Sequence, residues 1–414
     1  MKETIHKILN YGDRIIKTDT RYLLKQGTWL AFEQIAAALL SFGLTIAFAN
    51  LISAETYGTY KFVLSVVGVI GAFALTGLPG VLIQSVARGH DTSLVRGFKA
   101  QMKWSVLLIL TSLAVSLYYF AKDNTVLAVS FLIVSTCISV YKSAGVYDSF
   151  LVGKKLFKKK AIFSLLQNIC YAFGMLAIIL LTKDVRLIIL GYLVIWSGTS
   201  YIFYQLSKKE MAPDTPEDNT LITDTKHLSI LNTVIIGAQE IDKIIVFHFL
   251  GPIKLALYTF ALVPVTRLNS MSVIIKNLTA SKLSTRSIQE LQKSLPKKIE
   301  LLFIGLLFIV ILYVFGSPYL YTIFFSQYSD GILYSQVFSV MLLFSVPSVI
   351  LSQVFLSHMK KRELYISRIS FSVIKILLII ILIPLYGIWG AITALLASYI
   401  INFITLSVLF YRAT

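Results

Sequence analysis

The chain has 414 residues and a formal net charge of +18, with 57% apolar residues, 14% charged residues and a mean hydropathy of +0.78. This composition excludes an ordinary soluble domain, because it is more apolar than a globular core of this size requires. A hydrocarbon layer of about 30 Å is crossed by about 20 apolar residues in a helix, so the length accommodates roughly a dozen spans.

The first predicted elements are an amphipathic segment and six spans. Residues 1–27 mix apolar and basic side chains at roughly helical spacing, which predicts a segment lying on the inner headgroups. The six apolar runs that follow predict an amino-terminal bundle over residues 28–206. The spans are predicted at 28–52, 59–86, 102–121, 125–147, 161–182 and 186–206.

A polar linker and six further spans complete the chain. Residues 207–227 carry Pro213 and Pro216 and predict a cytoplasmic linker rather than a domain. The carboxyl-terminal bundle, residues 228–414, has spans predicted at 228–250, 253–276, 299–325, 332–358, 366–384 and 386–410. The predicted fold class is an all-α polytopic membrane protein of about twelve transmembrane helices in two six-helix bundles.

The placement of the basic residues predicts the topology. With a cytoplasmic amino terminus, the inner segments hold 29 of the 38 Lys and Arg residues, including Arg368 in the segment 360–368, and the spans hold four. The five at the outer ends are Lys61, Lys122, Lys183, Arg186 and Lys254. Cytoplasmic segments of membrane proteins carry such an excess, so both termini are predicted to be cytoplasmic. The high net charge therefore reports topology, and a nucleic-acid partner is not expected.

An internal repeat supports two like halves. The segment "FANLISAETYGTYKF" from Phe48 to Phe62 is similar to "FHFLGPIKLALYTF" from Phe247 to Phe260, at an offset of 199 that becomes 198 after one gap. Two similar bundles enclosing a cavity are a common transporter plan. The alternative is chance similarity between two apolar hairpins.

Both repeats resemble hairpins of the polysaccharide biosynthesis proteins in the multidrug/oligosaccharidyl-lipid/polysaccharide (MOP) exporter superfamily. Ala256 departs from the glycine that is usual in the second hairpin. The first repeat is followed by "TGLPGVLIQSVAR", Thr76 to Arg88, and the twelve spans also fit the MATE-like fold of this superfamily. The matching residues are Leu51, Glu55, Tyr57, Gly58 and Tyr60 in the first hairpin, and Asp242, Lys243, Leu250, Gly251, Pro252 and Tyr258 in the second.

The resemblance implies a flippase of the bacterial cytoplasmic (inner) membrane. Such proteins move a polyprenyl-diphosphate-linked oligosaccharide from the cytoplasmic to the outer leaflet, for assembly of O-antigen, capsule or exopolysaccharide. The implied partners are this lipid, the membrane lipids and other surface-glycan assembly proteins. A cation-coupled multidrug exporter of the same superfamily is the main alternative, and a polytopic membrane enzyme of glycan assembly is a further one.

Charged residues inside the spans are the candidate site residues, because each costs at least about 2.5–3.5 kcal/mol to insert and is usually retained beside water or a partner. A diphosphate head predicts a positive cavity, so the basic residues are the candidate substrate ligands. The acidic residues are candidates for ion coupling or charge pairing, and Glu240 and Lys243, three residues apart, are predicted to share a helix face on which they can pair. The basic set is Arg267, Lys375, Lys243 and Lys142, and the acidic set is Glu33, Glu240 and Asp242.

Helix-breaking residues mark candidate gating positions. Pro264 lies three residues before Arg267, where it removes a backbone hydrogen bond and predicts a kink beside a charge. Gly77 and Pro79 predict a bend near the inner end of the second span. A structural kink is the alternative interpretation for each of them.

Enzyme and metal chemistry are not indicated. The sequence contains no HExxH, G-x-S-x-G or Walker motif, and its five histidines lack metal-ligand spacing. A glycan polymerase or ligase is expected to carry a sizeable outer loop, whereas the predicted outer connections are short. No cofactor or metal is expected, and coupling to H⁺ or Na⁺ is left open.

Overall fold

The computed structural model describes residues 20–213, 215–270 and 283–413, together with Ser272, Lys276 and Thr279. All regular structure in these residues is helical, which confirms the predicted all-α class. The predicted headgroup-lying segment falls mainly on residues 1–19, outside the described residues. The helices are α1 (Thr20–Leu51), α2 (Ala54–Ala72), α3 (Leu78–Ala87), α4 (Ser93–Ala121), α5 (Thr125–Ser143), α6 (Val146–Gly153), α7 (Phe157–Leu181), α8 (Val185–Lys208), α9 (Leu221–Ser270), α10 (Ile288–Phe324), α11 (Ile332–Ser339), α12 (Leu342–Ser357) and α13 (Lys361–Arg412).

Eight helices of the described chain are long and apolar enough to cross a bilayer, or nine if the bent α11–α12 pair counts as one span. Two of them, α9 and α13, have 50 and 52 residues and are each broken by a glycine with positive φ, Gly251 at 82° and Gly387 at 58°. A straight helix of either length would extend over about 75 Å, more than twice the hydrocarbon thickness. Each therefore accounts for two of the predicted spans, and the predicted span 59–86 corresponds to α2 and α3.

Side-chain caps define several helix starts. The Asn124 side chain accepts a hydrogen bond from the Leu127 amide at the start of α5, at 3.0 Å. Asp184 accepts one from the Arg186 amide at the start of α8, at 2.9 Å. The Arg186 guanidinium also donates to Asp184 and holds the pKa of that carboxyl below its usual range. Such caps satisfy amides that lack a partner within the helix.

Long apolar side chains cover the outer surface of α10. Leu301, Phe308 and Phe315 are 70%, 65% and 74% exposed. Exposure of this extent over one helix is atypical of a soluble monomer and suits contact with acyl chains.

The described chain divides into two compact units. Unit 1 comprises the residues up to Ala47 and Phe73–Ile230, and unit 2 comprises Phe48–Ala72 and the residues from Leu231 onward. The predicted bundles placed all of residues 28–206 in the first half. The structure differs by grouping α2 with the carboxyl-terminal helices.

Close packing of α2 on the first arm of α9 explains this grouping within unit 2. The Phe62 ring stacks on Phe247 with centroids 3.8 Å apart, and Thr233 Oγ1 donates to the Ala72 carbonyl at 2.9 Å. A side chain at Gly58 would overlap the Pro252 carbonyl. These three contacts show that α2 and the first arm of α9 run antiparallel, and small residues such as Gly58 permit their close approach.

Within unit 1, the predicted linker is ordered against the turn between α3 and α4. Asp91 is buried and accepts hydrogen bonds from Lys154 Nζ at 2.6 Å and from the Ala212 amide at 2.7 Å. Arg96 donates to the Asp218 carbonyl at 3.0 Å. The linker ends as α9 begins at Leu221, seven residues earlier than the predicted start of the next span. It is therefore a packed connection and not a flexible tether.

Candidate functional site

A buried ion pair lies at the centre of the candidate site in unit 2. Lys375 on α13 and Asp242 on α9 are 7% and 3% exposed, and Lys375 Nζ lies 3.3 Å from Asp242 Oδ1. The Tyr258 hydroxyl donates to Asp242 Oδ2 at 2.7 Å. Two charges at this depth are tolerated because each neutralises the other and the carboxylate also accepts a hydrogen bond.

The break at Gly251 makes this arrangement possible. Asp242 and Tyr258 are sixteen residues apart in α9, which corresponds to about 24 Å along a straight helix. Their side chains are nevertheless in hydrogen-bond contact, because Gly251 adopts a φ of 82° and the chain folds back on itself. Only glycine adopts such a backbone conformation without strain.

The ion pair lines a cavity of about 290 Å³. An adjoining cavity of about 410 Å³ shares Arg368, Phe371 and Tyr399 with it as lining residues. We call them together the basic cavity. Besides Asp242, its charged lining residues are all cations, and serine and amide side chains supply most of the remaining polar groups. The charged residues are Asp242, Lys243, Lys276, Arg368 and Lys375, and the polar residues include Asn269, Ser345, Ser348, Ser352, Gln353 and Asn402.

One polar atom of this cavity is left without a partner. Gln353 Oε1 is buried and accepts no hydrogen bond from the part of the chain that the structure describes. A buried acceptor without a donor is costly, so a polar ligand or water at this wall would stabilise it.

Arg368 is a site residue that the sequence prediction assigned only to the cytoplasmic end of its span. It lies seven residues before Lys375 on α13, a separation of two helical turns that places both residues on one face. That spacing is the signal from which Arg368 can be recognised as a companion of Lys375.

A second charged group surrounds Glu240 in unit 2. Lys243 Nζ lies 2.6 Å from Glu240 Oε2, across one helical turn. Gly68 of α2 packs against the Glu240 side chain, where an added Cβ would lie 2.9 Å from Cγ. Lys61 of α2 interacts electrostatically with Lys243, Glu240 and Arg267. Lys61, which the sequence predicts at the outer end of a span, therefore belongs to the same charged group in unit 2.

Arg267 does not line the basic cavity as the structure describes it. The neighbouring Thr266 is a lining residue, but Arg267 is not. Pro264 is buried within a helix that continues past it to Ser270. The structure therefore brings Lys375, Lys243 and Asp242 together and leaves Arg267 outside this set.

A separate cavity of about 390 Å³ lies in unit 1, and we call it the aromatic cavity. Tyr147 donates to Gln167 Oε1 at 2.8 Å, and Gln167 Nε2 donates to Ser200 Oγ at 2.8 Å. This chain of hydrogen bonds holds the wall of the cavity in one arrangement. The lining residues are Glu33, Tyr141, Lys142, Gly145, Tyr147, Asp148, Ser164, Gln167, Asn168, Trp196 and Ser200.

Charges in the aromatic cavity are compensated within unit 1. Lys160 Nζ lies 3.5 Å from Glu33 Oε2 and 3.8 Å from Asp148 Oδ1. Lys142 Nζ lies 5.3 Å from the centre of the Tyr141 ring. The predicted substrate ligand Lys142 belongs to unit 1, and the other three predicted cations belong to unit 2.

The predicted bend at Gly77 and Pro79 coincides with the break between α2 and α3. Gly77 is the residue before α3, and Pro79 lies in the first turn of that helix. The Gly77 amide donates to Ser229 Oγ at 2.9 Å, and an added Cβ would lie 2.6 Å from Leu228 Cβ. The glycine is needed for this close approach in unit 1.

Comparison with solved structures identifies the fold. The inward closed conformation of the lipid II flippase MurJ has a TM-score of 0.67 at 16% identity, covering 94% of this chain and 88% of that one. An inward-facing multidrug resistance MATE family transporter of the MOP superfamily has a TM-score of 0.66 at 13% identity, covering 91% and 95%. A MOP superfamily transporter from Pyrococcus furiosus, which is described as having a binding pocket of reverse polarity, has a TM-score of 0.53 at 16% identity, covering 95% of this chain and 92% of that one. The chain therefore has the fold of the MOP-superfamily transporters and is a multi-pass membrane protein.

The family follows from the sequence itself. The sequence model of the polysaccharide biosynthesis protein family matches residues 23–275, more than half of the chain. No curated protein matches the sequence. The chain belongs to the polysaccharide biosynthesis protein family.

The buried pair generates a prediction about stability. Replacing Lys375 by Met leaves the buried Asp242 carboxylate without its cation, which typically costs about 3–5 kcal/mol. We expect Lys375→Met to lower the membrane abundance and the thermal midpoint of the purified protein, and the double variant Lys375→Met/Asp242→Asn to recover both.

Lys361→Met, at the exposed start of the same helix, is the control and is expected to match the wild type. If Lys375→Met were as stable as Lys361→Met, the pair would not be a structural element of unit 2.

Proposed function

We propose that the protein is a flippase that moves a polyprenyl-diphosphate-linked oligosaccharide from the cytoplasmic to the outer leaflet for surface polysaccharide assembly. The observation that carries this proposal is the charge of the basic cavity. Four cations and one carboxylate are among its lining residues, and that carboxylate is already paired with Lys375. The cavity is therefore net positive, as an anionic head requires.

The chemistry of Arg368 suits a diphosphate. A guanidinium stays charged at any cellular pH and offers paired N–H donors that match phosphate oxygens. The serine hydroxyls and amides around it offer donors and acceptors to other polar groups of a ligand.

The opposite expectation applies to an exporter of organic cations. Such a protein is expected to present carboxylates that are free to bind a cation. Asp242 is paired with Lys375, Glu240 with Lys243 and Glu33 with Lys160. These pairs favour the flippase over the multidrug alternative, and membership of the polysaccharide biosynthesis family supports the same choice.

In the proposed mechanism, the diphosphate enters the basic cavity while the polyprenyl tail stays in the bilayer. Binding of the charged head beside fixed protein charges offsets the free-energy cost of moving it through the hydrocarbon. Alternating access then exposes the head to the other side of the membrane. No bond is made or broken, so the protein is proposed to act as a transporter and not as an enzyme.

Arg368 provides the test of this proposal. Cells that lack the protein are expected to lose a surface polysaccharide and to accumulate its lipid-linked unit. Complementation with Arg368→Ala or Arg368→Glu is expected to restore export poorly at normal membrane abundance, with partial recovery by Arg368→Lys. A lost charged hydrogen bond of about 1.5–3 kcal/mol predicts a loss of export of at least about tenfold.

Arg362→Ala is the matched control, because Arg362 is an arginine six residues earlier on the same helix that does not line the basic cavity. Arg267→Ala, tested in parallel, reports whether the cation predicted from the sequence contributes as well. Full export by Arg368→Ala would defeat the role of the basic cavity. Intact surface glycan after deletion, with new sensitivity to organic cations, would favour the multidrug alternative.

The proposed location is the bacterial cytoplasmic membrane, with both termini and the 207–227 linker in the cytoplasm. The placement of 29 of 38 basic residues in the inner segments supports this topology. With Cys137 and Cys170 replaced by serine, a cysteine in place of the exposed Asn219 is expected to resist an impermeant thiol reagent in intact cells. A cysteine in place of Lys122, at an outer end, is expected to react. Labelling of the cysteine at position 219 in intact cells would show that the linker is outside and that the proposed topology is inverted.

A further inference from the structure

The aromatic cavity of unit 1 and the basic cavity of unit 2 are built from equivalent positions of the two halves of the chain. Pairs of lining residues are separated by 204 positions in three helices, and by 203 in a fourth. The pairs separated by 204 are Tyr141 with Ser345, Gly145 with Val349, Asp148 with Ser352, Ser164 with Arg368, and Gln167 with Phe371, and the pair separated by 203 is Trp196 with Tyr399.

The two cavities differ in chemistry at these shared positions. Where unit 2 has the cation Arg368, unit 1 has the small neutral Ser164. Where unit 2 has Ser345 and Ser352, unit 1 has Tyr141 and Asp148, respectively. The duplicated cavity has therefore become basic in one half, and aromatic with amides and carboxylates in the other.

The charges of the aromatic cavity do not favour a phosphate. Its two carboxylates, Glu33 and Asp148, are opposed by Lys142 in the wall and by Lys160, which pairs with both carboxylates. The local net charge is close to zero. A neutral ligand suits this balance better than a diphosphate does.

The side chains of the aromatic cavity suit a sugar ring. Flat aromatic side chains such as Trp196 and Tyr141 provide apolar faces of large area, and sugar rings present C–H groups that pack on such faces. Asn168 and the carboxylates offer hydrogen-bond donors and acceptors for hydroxyl groups. A volume of about 390 Å³ lies within the usual range of small-ligand pockets, about 300–1,000 Å³.

Trp196 supplies an independent observation that points to a ligand. Its indole Nε1 is buried and has no hydrogen-bond acceptor among the described residues. Buried indole N–H groups usually have one, because leaving the donor unpaired is costly. A hydroxyl oxygen of a bound sugar is an acceptor of the required kind.

We propose that the aromatic cavity of unit 1 is a saccharide-binding site, which takes a neutral sugar residue of the glycan, whereas the basic cavity of unit 2 takes the diphosphate. The inference rests on the proposed flippase function and deepens it. It assigns recognition of the sugar and of the phosphate to different halves of the duplicated fold, and it makes glycan selectivity a property of unit 1.

The first test measures export in cells that lack the chromosomal copy. Trp196→Ala is expected to reduce surface glycan at least about tenfold at normal membrane abundance, because it removes both the aromatic face and the N–H donor. Trp196→Phe, which keeps an aromatic ring, is expected to retain intermediate export. Trp104→Ala is the matched control, since Trp104 is an exposed tryptophan of unit 1 outside the aromatic cavity.

The second test measures binding with the chain's own fluorescence. A protein that keeps Trp196 but has Trp29→Phe, Trp104→Phe and Trp389→Phe is purified in detergent. The probes are the free oligosaccharide, released by mild acid from the lipid-linked material that deletion cells accumulate, and polyprenyl diphosphate without sugar. We expect a saturable change in Trp196 fluorescence with the oligosaccharide and none with polyprenyl diphosphate. A twin protein that keeps only Trp104 is expected to respond to neither.

Failure of this inference is distinguishable from failure of the proposed function. If deletion causes no accumulation of lipid-linked glycan, the flippase proposal is wrong. If deletion does cause accumulation of lipid-linked glycan, and Trp196→Ala exports as well as Trp104→Ala, the flippase proposal stands and the proposal of a saccharide site is wrong. A Trp196 response to polyprenyl diphosphate alone, or no response to the oligosaccharide, would also overturn the site.

Discussion

The cost of placing charge inside a membrane span is the constraint on which unit 2 depends. Lys375 lies about nine residues from either end of its apolar run, too deep for its ammonium group to reach the headgroups. Its contact with Asp242, together with the Tyr258 hydrogen bond, joins the first arm of α13 to both arms of α9. One ion pair thus links three segments of the chain, and the basic cavity opens beside it. Breaking the pair affects both the packing of these segments and the charge available to a ligand.

Glycine determines where the long helices fold back. Gly251 and Gly387 interrupt α9 and α13 at positive φ, and each interruption converts one continuous helix into two spans. In unit 2, Gly251 allows Asp242 and Tyr258 to meet, and Gly58 allows α2 to pack on the same region of α9. The charged site is therefore a consequence of backbone features that carry no charge themselves.

Much of this architecture could be predicted from the sequence, because span length and apolar periodicity are local properties. Helical spacing also predicted that Glu240 and Lys243 share a face, and they are 2.6 Å apart. The partner of Lys375 could not be predicted, since it depends on how α9 and α13 pack. The same limit explains why α2 was assigned to the first half. Arg368 was overlooked because it was counted among the cytoplasmic charges, although its spacing from Lys375 places it on the cavity face.

Flippase activity is measured directly by transport of a defined lipid in a purified system. The protein is reconstituted into liposomes that contain a fluorescent polyprenyl-diphosphate oligosaccharide, and a membrane-impermeant quencher reports the fraction of the lipid on the outer leaflet. We predict that the wild-type protein and Arg362→Glu make the fluorescent lipid of the inner leaflet accessible to the quencher. Arg368→Glu is predicted to leave that lipid protected from the quencher. A wild-type protein that left this lipid protected, yet carried an organic cation dye across the same bilayer, would contradict the account.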